Sequence, residues 1–170
     1  QKTGSAESIL YLPQFREHSL AVSGGVFKFN LFSELASPSY FCVFCRSATT
    51  DILQQPPITQ LSISCETTKK KSNTITDMSI GQLYHLTQRN VHPTAEYDRV
   101  AFNRRQTVLL SAEDVGMLGL QPYEYQKAKR VEYVFSGTTN NPGTLHVVLV
   151  YNNRGLHIDG RRLQLVTLHE

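Results

Sequence analysis

Residues 129–151 read KRVEYVFSGTTNNPGTLHVVLVY, and this stretch has the clearest alternation of apolar and polar side chains in the chain. A period of two is typical of a half-buried antiparallel strand. In the second half Val148 and Val150 make the other face apolar too, which predicts a central strand covered on both sides by a second layer. Residues 137–143 supply glycine, asparagine and proline, so we expect the two strands to form a hairpin. The alternating apolar positions are Val131, Tyr133, Phe135, Leu145, Val147, Leu149 and Tyr151.

Apolar stretches elsewhere in the chain predict the remaining strands. They are residues 15–23, 26–32, 40–44, 58–66 and 100–110, followed by one broken strand over 155–168. Residues 67–76, which contain a run of three lysines, are predicted to be a solvated loop. About eight strands with long connections predict an all-β fold, an eight-stranded jelly-roll sandwich with one or two short helices in the connections. We expect residues 1–14 to be an N-terminal arm or linker and residues 15–170 to form a single jelly-roll domain.

A change of period after residue 76 predicts one helix. Asp77 or Ser79 is placed to cap its N-terminus, and the proline at position 93 ends it near Asn90. Ser111, with Asp114 three positions further on, predicts a short capped turn. The predicted buried face of the helix consists of Ile80, Leu83, Tyr84 and Thr87.

Composition limits the functional classes. A net charge of +3, from 17 basic and 14 acidic residues scattered along 170 positions, is too small to indicate a nucleic-acid-binding surface. No apolar run reaches the roughly 20 residues that cross a bilayer, and contact with a membrane surface is left open. Cys42 and Cys45 have odd spacing on a predicted strand, so we expect inert thiols on opposite faces rather than a zinc or redox site. Because the chain opens with Gln1, we expect a processed product or part of something longer.

A search for catalytic or metal-binding residues yields no convincing set. His85, His92, His146 and His157 are the candidates for a jelly-roll metal centre of the cupin type. Only His157 and Asp159 are spaced to share one face of a strand, whereas a metal site needs three or four ligands. We therefore predict no enzymatic activity, no cofactor and no small-molecule substrate.

Two segments of the C-terminal third carry a family resemblance. They are residues 128–137, AKRVEYVFSG, and residues 143–162, GTLHVVLVYNNRGLHIDGRR. In order and approximate spacing they resemble the end of the second jelly roll in double jelly-roll major capsid proteins of the Maverick/Polinton and adintovirus-like group. Residues 27–32 and 40–45 resemble the opening strands of the same barrel, so that the likeness extends over most of the chain.

The resemblance implies a structural capsid protein of the virion that trimerises and assembles with other capsid proteins into an icosahedral shell inside the host cell. Such chains carry two barrels, and 170 residues hold one. The chain is then one barrel of a longer protein, or a single jelly-roll penton or minor capsid protein. We expect subunit contacts at six loop residues, namely Tyr97, Arg99, Arg104, Arg105, Tyr123 and Tyr125. The alternative is that these residues only cover their own barrel. A lectin-like ligand-binding sandwich is the alternative from another class, and the absence of tryptophan disfavours it.

Overall fold

A computed structural model describes residues 8–33, 38–47, 58–66, 71–91, 99–100, 102, 107–115, 131–152, 154–159 and 162–167. This part of the chain contains eleven strands and one long helix. In chain order they are β1 (Ser8–Tyr11), β2 (Gln14–Val22), β3 (Gly25–Ser33), β4 (Tyr40–Ser47), β5 (Ile58–Glu66), β6 (Lys71–Ser79), α1 (Ile80–Asn90), β7 (Val108–Ser111), β8 (Val131–Thr139), β9 (Gly143–Tyr151), β10 (Arg154–Asp159) and β11 (Arg162–Thr167).

Eight of these strands form a sandwich of two antiparallel sheets, ordered β2-β9-β4-β7 and β3-β8-β5-β6. The pairing is nested: the first sandwich strand β2 pairs with the last, β9, then β3 with β8, β4 with β7, and β5 with β6. The chain is therefore paired like one long hairpin that has been wound into a sandwich. This is the jelly-roll topology, and it confirms the predicted fold class.

The predicted hairpin over residues 129–151 is wrong, because β8 and β9 lie in opposite sheets. β8 pairs with β3 and β5, and β9 pairs with β2 and β4. The segment between them carries the chain across the sandwich. Alternation identifies the buried face of each strand, and it does so correctly here, but it does not identify the neighbouring strand.

The hydrophobic core lies between the inner faces of the two sheets. Phe41 of β4 lies edge-on to Tyr133 of β8, with ring centroids 5.3 Å apart, and its ring is 6.2 Å from that of Phe135. Because these pairs join strands of different sheets, they fix the spacing of the layers. The largest fully buried side chains are Tyr133, Tyr151, Phe41, Phe102, Phe135, Ile58, Leu61, Ile63, Leu83, Leu110 and Leu145.

Strand β6 corrects the prediction that residues 67–76 form a solvated loop, although residues 67–70 lie outside the described part. β6 is an edge strand, and a register shift opposite Ser62 interrupts its alternation. Asp77 adopts a φ of 48° there, and its backbone N–H donates to Ser62 Oγ at 2.8 Å. A bulge of this kind removes the period of two from the sequence.

The predicted strand over residues 100–110 is too long at its N-terminal end. Val100 and Phe102 have a helical backbone, and β7 begins only at Val108. Phe102 is fully buried, with its ring 5.4 Å from that of Tyr84 in α1. Packing against the helix thus overrides the strand preference of these side chains.

A third, three-stranded sheet has the order β1-β10-β11. Residues 155–168 were expected to form one broken strand, and they contribute instead to two strands paired from Arg154 with Thr167 to Asp159 with Arg162. β1 lies within the segment that was expected to be an arm or linker. The domain boundary at residue 14 stays a prediction.

Helix α1 is confirmed with the predicted cap and the predicted buried face. The Ser79 side chain accepts a hydrogen bond from the backbone N–H of Gln82, and the Gln82 side chain accepts one from the backbone N–H of Ser79. Leu83, Tyr84 and Thr87 are buried. The part of the chain that the structure describes contains no helix with the length and apolarity needed to cross a bilayer.

Candidate functional site

The outer face of the β2-β9-β4-β7 sheet carries most of its apolar side chains toward one end. Strand register places Phe15, Val150 and Tyr40 in one row across β2, β9 and β4. The next row aligns Glu17, Val148, Cys42 and Leu109, which extends the apolar side chains onto β7 and places one carboxylate at the β2 edge. We call this surface the apolar outer face, and its apolar members are Phe15, Tyr40, Cys42, Phe44, Leu109, Val148 and Val150.

These side chains are only partly covered by the rest of the chain. Phe15 is 65% exposed, and the other six are half-buried, whereas their inner-face neighbours Leu145, Val147 and Leu149 are buried. A four-stranded sheet of this length presents roughly 400 Å² in projection. The apolar patch covers part of that area, because Glu17, Ser19, Thr144, His146, Arg46 and Ser111 share the face. An exposed apolar patch rimmed by polar residues is typical of an interaction site.

The outer face of the β3-β8-β5-β6 sheet is different in composition. Register aligns Lys28, Ser136 and Ser62 in one row, and Asn30 donates a hydrogen bond of 2.8 Å to Glu132. We call this surface the polar outer face. Its apolar members are Val26, Phe32 and Val134, and they occupy separate rows. The two sides of the sandwich are thus unequal in composition.

A diagonal row of polar and aromatic side chains crosses the apolar outer face, because register places Glu17 opposite Val148 but His146 opposite Phe44. Nδ1 of His146 in β9 lies 2.7 Å from Oε1 of Glu17 in β2. The imidazole stacks on the ring of Phe44 in β4, with centroids 4.8 Å apart and planes 10° from parallel. The guanidinium of Arg46 lies 5.7 Å from the centroid of the Phe44 ring. The row therefore has an acid at the β2 edge and a base near β4.

The thiols of Cys42 and Cys45 point to opposite faces of β4, as predicted. Cys42 is half-buried on the apolar outer face, and Cys45 is buried in the core. Burial raises the pKa of both thiols. Raised values keep the thiols mostly protonated near neutral pH, which slows their reactions and disfavours metal binding.

Of the six predicted interface residues, the described ranges include only Arg99. It is exposed, and its guanidinium lies 6.0 Å from the centroid of the Tyr84 ring on α1. Its role in subunit contacts stays a prediction. The other five predicted residues lie outside the described ranges: Tyr97, Arg104, Arg105, Tyr123 and Tyr125.

The predicted histidine candidates are dispersed. His85 is exposed on α1, His146 lies on the apolar outer face, and His157 is half-buried on β10, while His92 falls outside the described residues. Among the residues that the structure describes, no three histidine, cysteine, aspartate or glutamate side chains are placed to hold a metal ion together.

The apolar outer face was not identified from the sequence as a site. Its signal was present in Val148 and Val150, which predicted a strand covered on both faces. One face of β9 is covered by the opposite sheet, and the other is the half-buried outer face. The subunit interface was predicted in the loops instead, because the loop segments lack the alternation that would place their side chains in a core.

Comparison with solved structures places the fold among viral capsid proteins. The crystal structure of the mavirus major capsid protein matches with a TM-score of 0.54 and 11% identity over 96% of this chain. A chain in the cryo-EM structure of the Sputnik virophage matches with a TM-score of 0.55 and 13% identity over 94% of this chain. The resemblance to the Maverick/Polinton and adintovirus-like group stays a prediction, because both matched structures come from virophages.

The chain spans about two fifths of the matched proteins, 42% of the mavirus chain and 39% of the Sputnik chain. No protein-family model and no curated protein matches the sequence. At these identities the likeness establishes the architecture. The chain therefore has a jelly-roll fold that is also present in the mavirus major capsid protein.

Proposed function

We propose that the protein is a structural capsid subunit, one jelly-roll barrel that packs its apolar outer face against a second barrel of the same fold. The likeness to the mavirus major capsid protein supports the class of function. The length of that protein supports a second barrel as the partner, because a chain more than twice as long as this one has room for a second domain of this size.

The apolar outer face is the observation that carries the proposal. In a monomer with both outer faces in water, the strands would alternate apolar and polar side chains, as the polar outer face does. β9 departs from this rule in its C-terminal half, where Val148 and Val150 face outward while Val147, Leu149 and Tyr151 face the core. A partner layer accounts for that pattern.

The area of the apolar outer face indicates that other segments must also contribute to the interface. A standard stable interface buries about 800 Å² on each partner, and the strands supply roughly half of that in projection. Loops at the margin are expected to supply the remainder. The proposal therefore retains all six predicted loop residues as rim contacts, namely Tyr97, Arg99, Arg104, Arg105, Tyr123 and Tyr125.

The finer parts of the proposal follow from the family resemblance. We infer a trimeric building block, an icosahedral shell, contacts with other capsid proteins, and a location in the virion after assembly in the host cell. Alanine substitution of Arg104, Tyr123 and Tyr125 is expected to weaken oligomers and to leave the melting temperature nearly unchanged. Loss of folding without a separate effect on association would contradict the rim assignment.

Phe15→Lys tests the proposed surface. Phe15 is exposed on the edge strand of one sheet, and Val26, which is 86% exposed, is exposed on the edge strand of the other, so Val26→Lys is the matched control. Both variants should have the same melting temperature as the native protein, because neither side chain is in the core. In sedimentation velocity at micromolar concentration, Phe15→Lys should weaken association by about tenfold or more, the effect of a buried aromatic anchor, and Val26→Lys should not.

A native chain that stays monomeric at every concentration reached would contradict the proposed function. Equal weakening by both substitutions would contradict the choice of face.

A further inference from the structure

The diagonal row formed by Glu17, His146, Phe44 and Arg46 places a carboxylate–imidazole contact beside the apolar side chains of this face. The Glu17 side chain is 60% exposed in the isolated chain, and the His146 side chain is 15% exposed. Stacking on Phe44 fixes the orientation of the imidazole, so that Nδ1 faces the carboxylate at 2.7 Å. The carboxylate therefore loses most of its water if a partner covers the apolar outer face.

The charge on Glu17 then needs a compensating cation, because a carboxylate that loses its water without a partner costs several kcal/mol. A neutral imidazole offers one hydrogen bond and no charge, whereas an imidazolium offers both. Arg46 lies two positions beyond Phe44 on β4, opposite Thr144, whereas Glu17 lies opposite Val148, so Arg46 is at the other end of the diagonal row from Glu17. The titratable and charged side chains on this face of the described strands are Glu17 on β2, His146 on β9, and Tyr40, Cys42 and Arg46 on β4, with none on β7.

We propose that association through the apolar outer face takes up a proton at His146, so that assembly tightens as pH falls from about 8 to about 6, the range in which histidine changes charge. The inference rests on the proposed function, because it concerns the same surface. Its sign follows from linkage: a group that binds a proton more strongly in the associated state favours association at lower pH.

Proton uptake on association is tested by measuring the association constant of the full chain. The measurement uses sedimentation velocity at pH 8.0, 7.0 and 6.0 in one buffer series of constant ionic strength. We expect the association constant to rise by about three- to tenfold from pH 8.0 to 6.0. His146→Gln keeps a hydrogen-bond donor toward Glu17 but does not titrate, so its association should be independent of pH. Glu17→Gln removes the charge to be compensated and should also abolish the dependence.

His85→Gln is the matched control, because His85 is exposed on α1 and should leave the pH dependence unchanged. Far-UV circular dichroism verifies that each variant is folded at each pH. Native association that does not change with pH would overturn the proton linkage and leave the proposed function standing. A pH dependence that persists in His146→Gln would overturn the assignment to this histidine. Absence of association at all three pH values would contradict the proposed function itself.

Discussion

At Gly137 the backbone of β8 lies directly against that of β5. A Cβ atom added there would stand 2.0 Å from the carbonyl oxygen of Gln60 and 3.2 Å from Cα of Leu61. Backbone atoms of a central strand pair cannot move aside without breaking the ladder. The position therefore requires glycine because of the close approach of two strands.

Gly137→Ala is expected to destabilise the protein by about 3 kcal/mol or more, since the overlap forces two central strands apart. Gly81→Ala is the control. Near Gly81, in the first turn of α1, the closest atom to an added Cβ is Nη2 of Arg99 at 3.8 Å. The same substitution should there stabilise by up to about 1 kcal/mol through helix propensity. Urea denaturation measures both effects, and a Gly137→Ala midpoint equal to the native one would refute the close approach.

Asp114 holds the turn after β7 to the end of α1. It accepts hydrogen bonds from the backbone N–H of Ser111 at 2.8 Å and from Nδ2 of Asn90 at 2.6 Å, and it forms an ion pair with Arg89. The Ser111 hydroxyl in turn accepts the backbone N–H of Asp114 at 3.2 Å, which confirms the predicted capped turn. Burial alone would raise the pKa of Asp114, but these hydrogen bonds and the Arg89 charge outweigh it and hold the pKa below its usual value.

Asp114 should therefore make the protein sensitive to acid. Because the folded pKa is below the unfolded one, its stabilisation is complete above about pH 5 and is lost as pH falls from about 3.9 through the folded pKa. Asp114→Asn should lower the free energy of unfolding by about 1 to 3 kcal/mol at pH 7, the range for hydrogen bonds to a charged group. Its loss of stability between pH 5 and pH 3 should be smaller than that of the native protein. Parallel acid profiles for the two proteins would contradict this role.

At the scale of elements, α1 closes the exposed edge of the sheet that carries the apolar outer face. β7 is an edge strand, and both backbone polar groups of Leu109 bond to side chains of the helix. The N–H donates to Oγ1 of Thr87 at 3.1 Å, and the carbonyl accepts from Nδ2 of Asn90 at 3.0 Å. An edge satisfied in this way does not offer a template for pairing with another chain.

Thr87→Val should cost about 1 to 3 kcal/mol, because the change is nearly isosteric and leaves the N–H of Leu109 without its acceptor. Gln88→Ala, at the exposed neighbouring position, is the control and should change stability by less than about 0.5 kcal/mol. Thermal unfolding of both variants is the measurement. Equal melting temperatures for Thr87→Val and the native protein would show that the helix does not secure this edge.

Sequence patterns predicted elements well where local chemistry decides them. Ser79 and Gln82 cap α1 by contacts three residues apart, and alternation located the buried faces of β8 and β9. β6 was missed because its bulge at Asp77 breaks the period on which the prediction depends. The pairing of β8 with β3 was missed for a different reason, since it joins residues from 98 (Ser33 with Val131) to 114 (Gly25 with Thr139) positions apart and no local pattern encodes it.

At the scale of the whole molecule, the two outer faces of the sandwich are the feature with functional consequence. The fold class was predictable, since about eight strands with long connections indicate a jelly roll. The apolar outer face was only half predictable. Val148 and Val150 indicated a covered strand, but the register that aligns them with Tyr40, Cys42 and Phe15 exists only in the folded sheet.

The central claim is that the apolar outer face becomes covered when the protein associates, and thiol labelling measures this directly. Cys42 is half-buried on that face and Ser136 is half-buried on the polar outer face, each on a strand with neighbours on both sides. A Ser136→Cys variant therefore carries one reporter on each side of the sandwich. Peptide mapping by mass spectrometry gives the maleimide labelling rate of each thiol as protein concentration rises through the association range. The proposed function predicts that labelling at Cys42 slows severalfold while labelling at position 136 is constant; constant labelling at Cys42 with slowing at position 136 would contradict it.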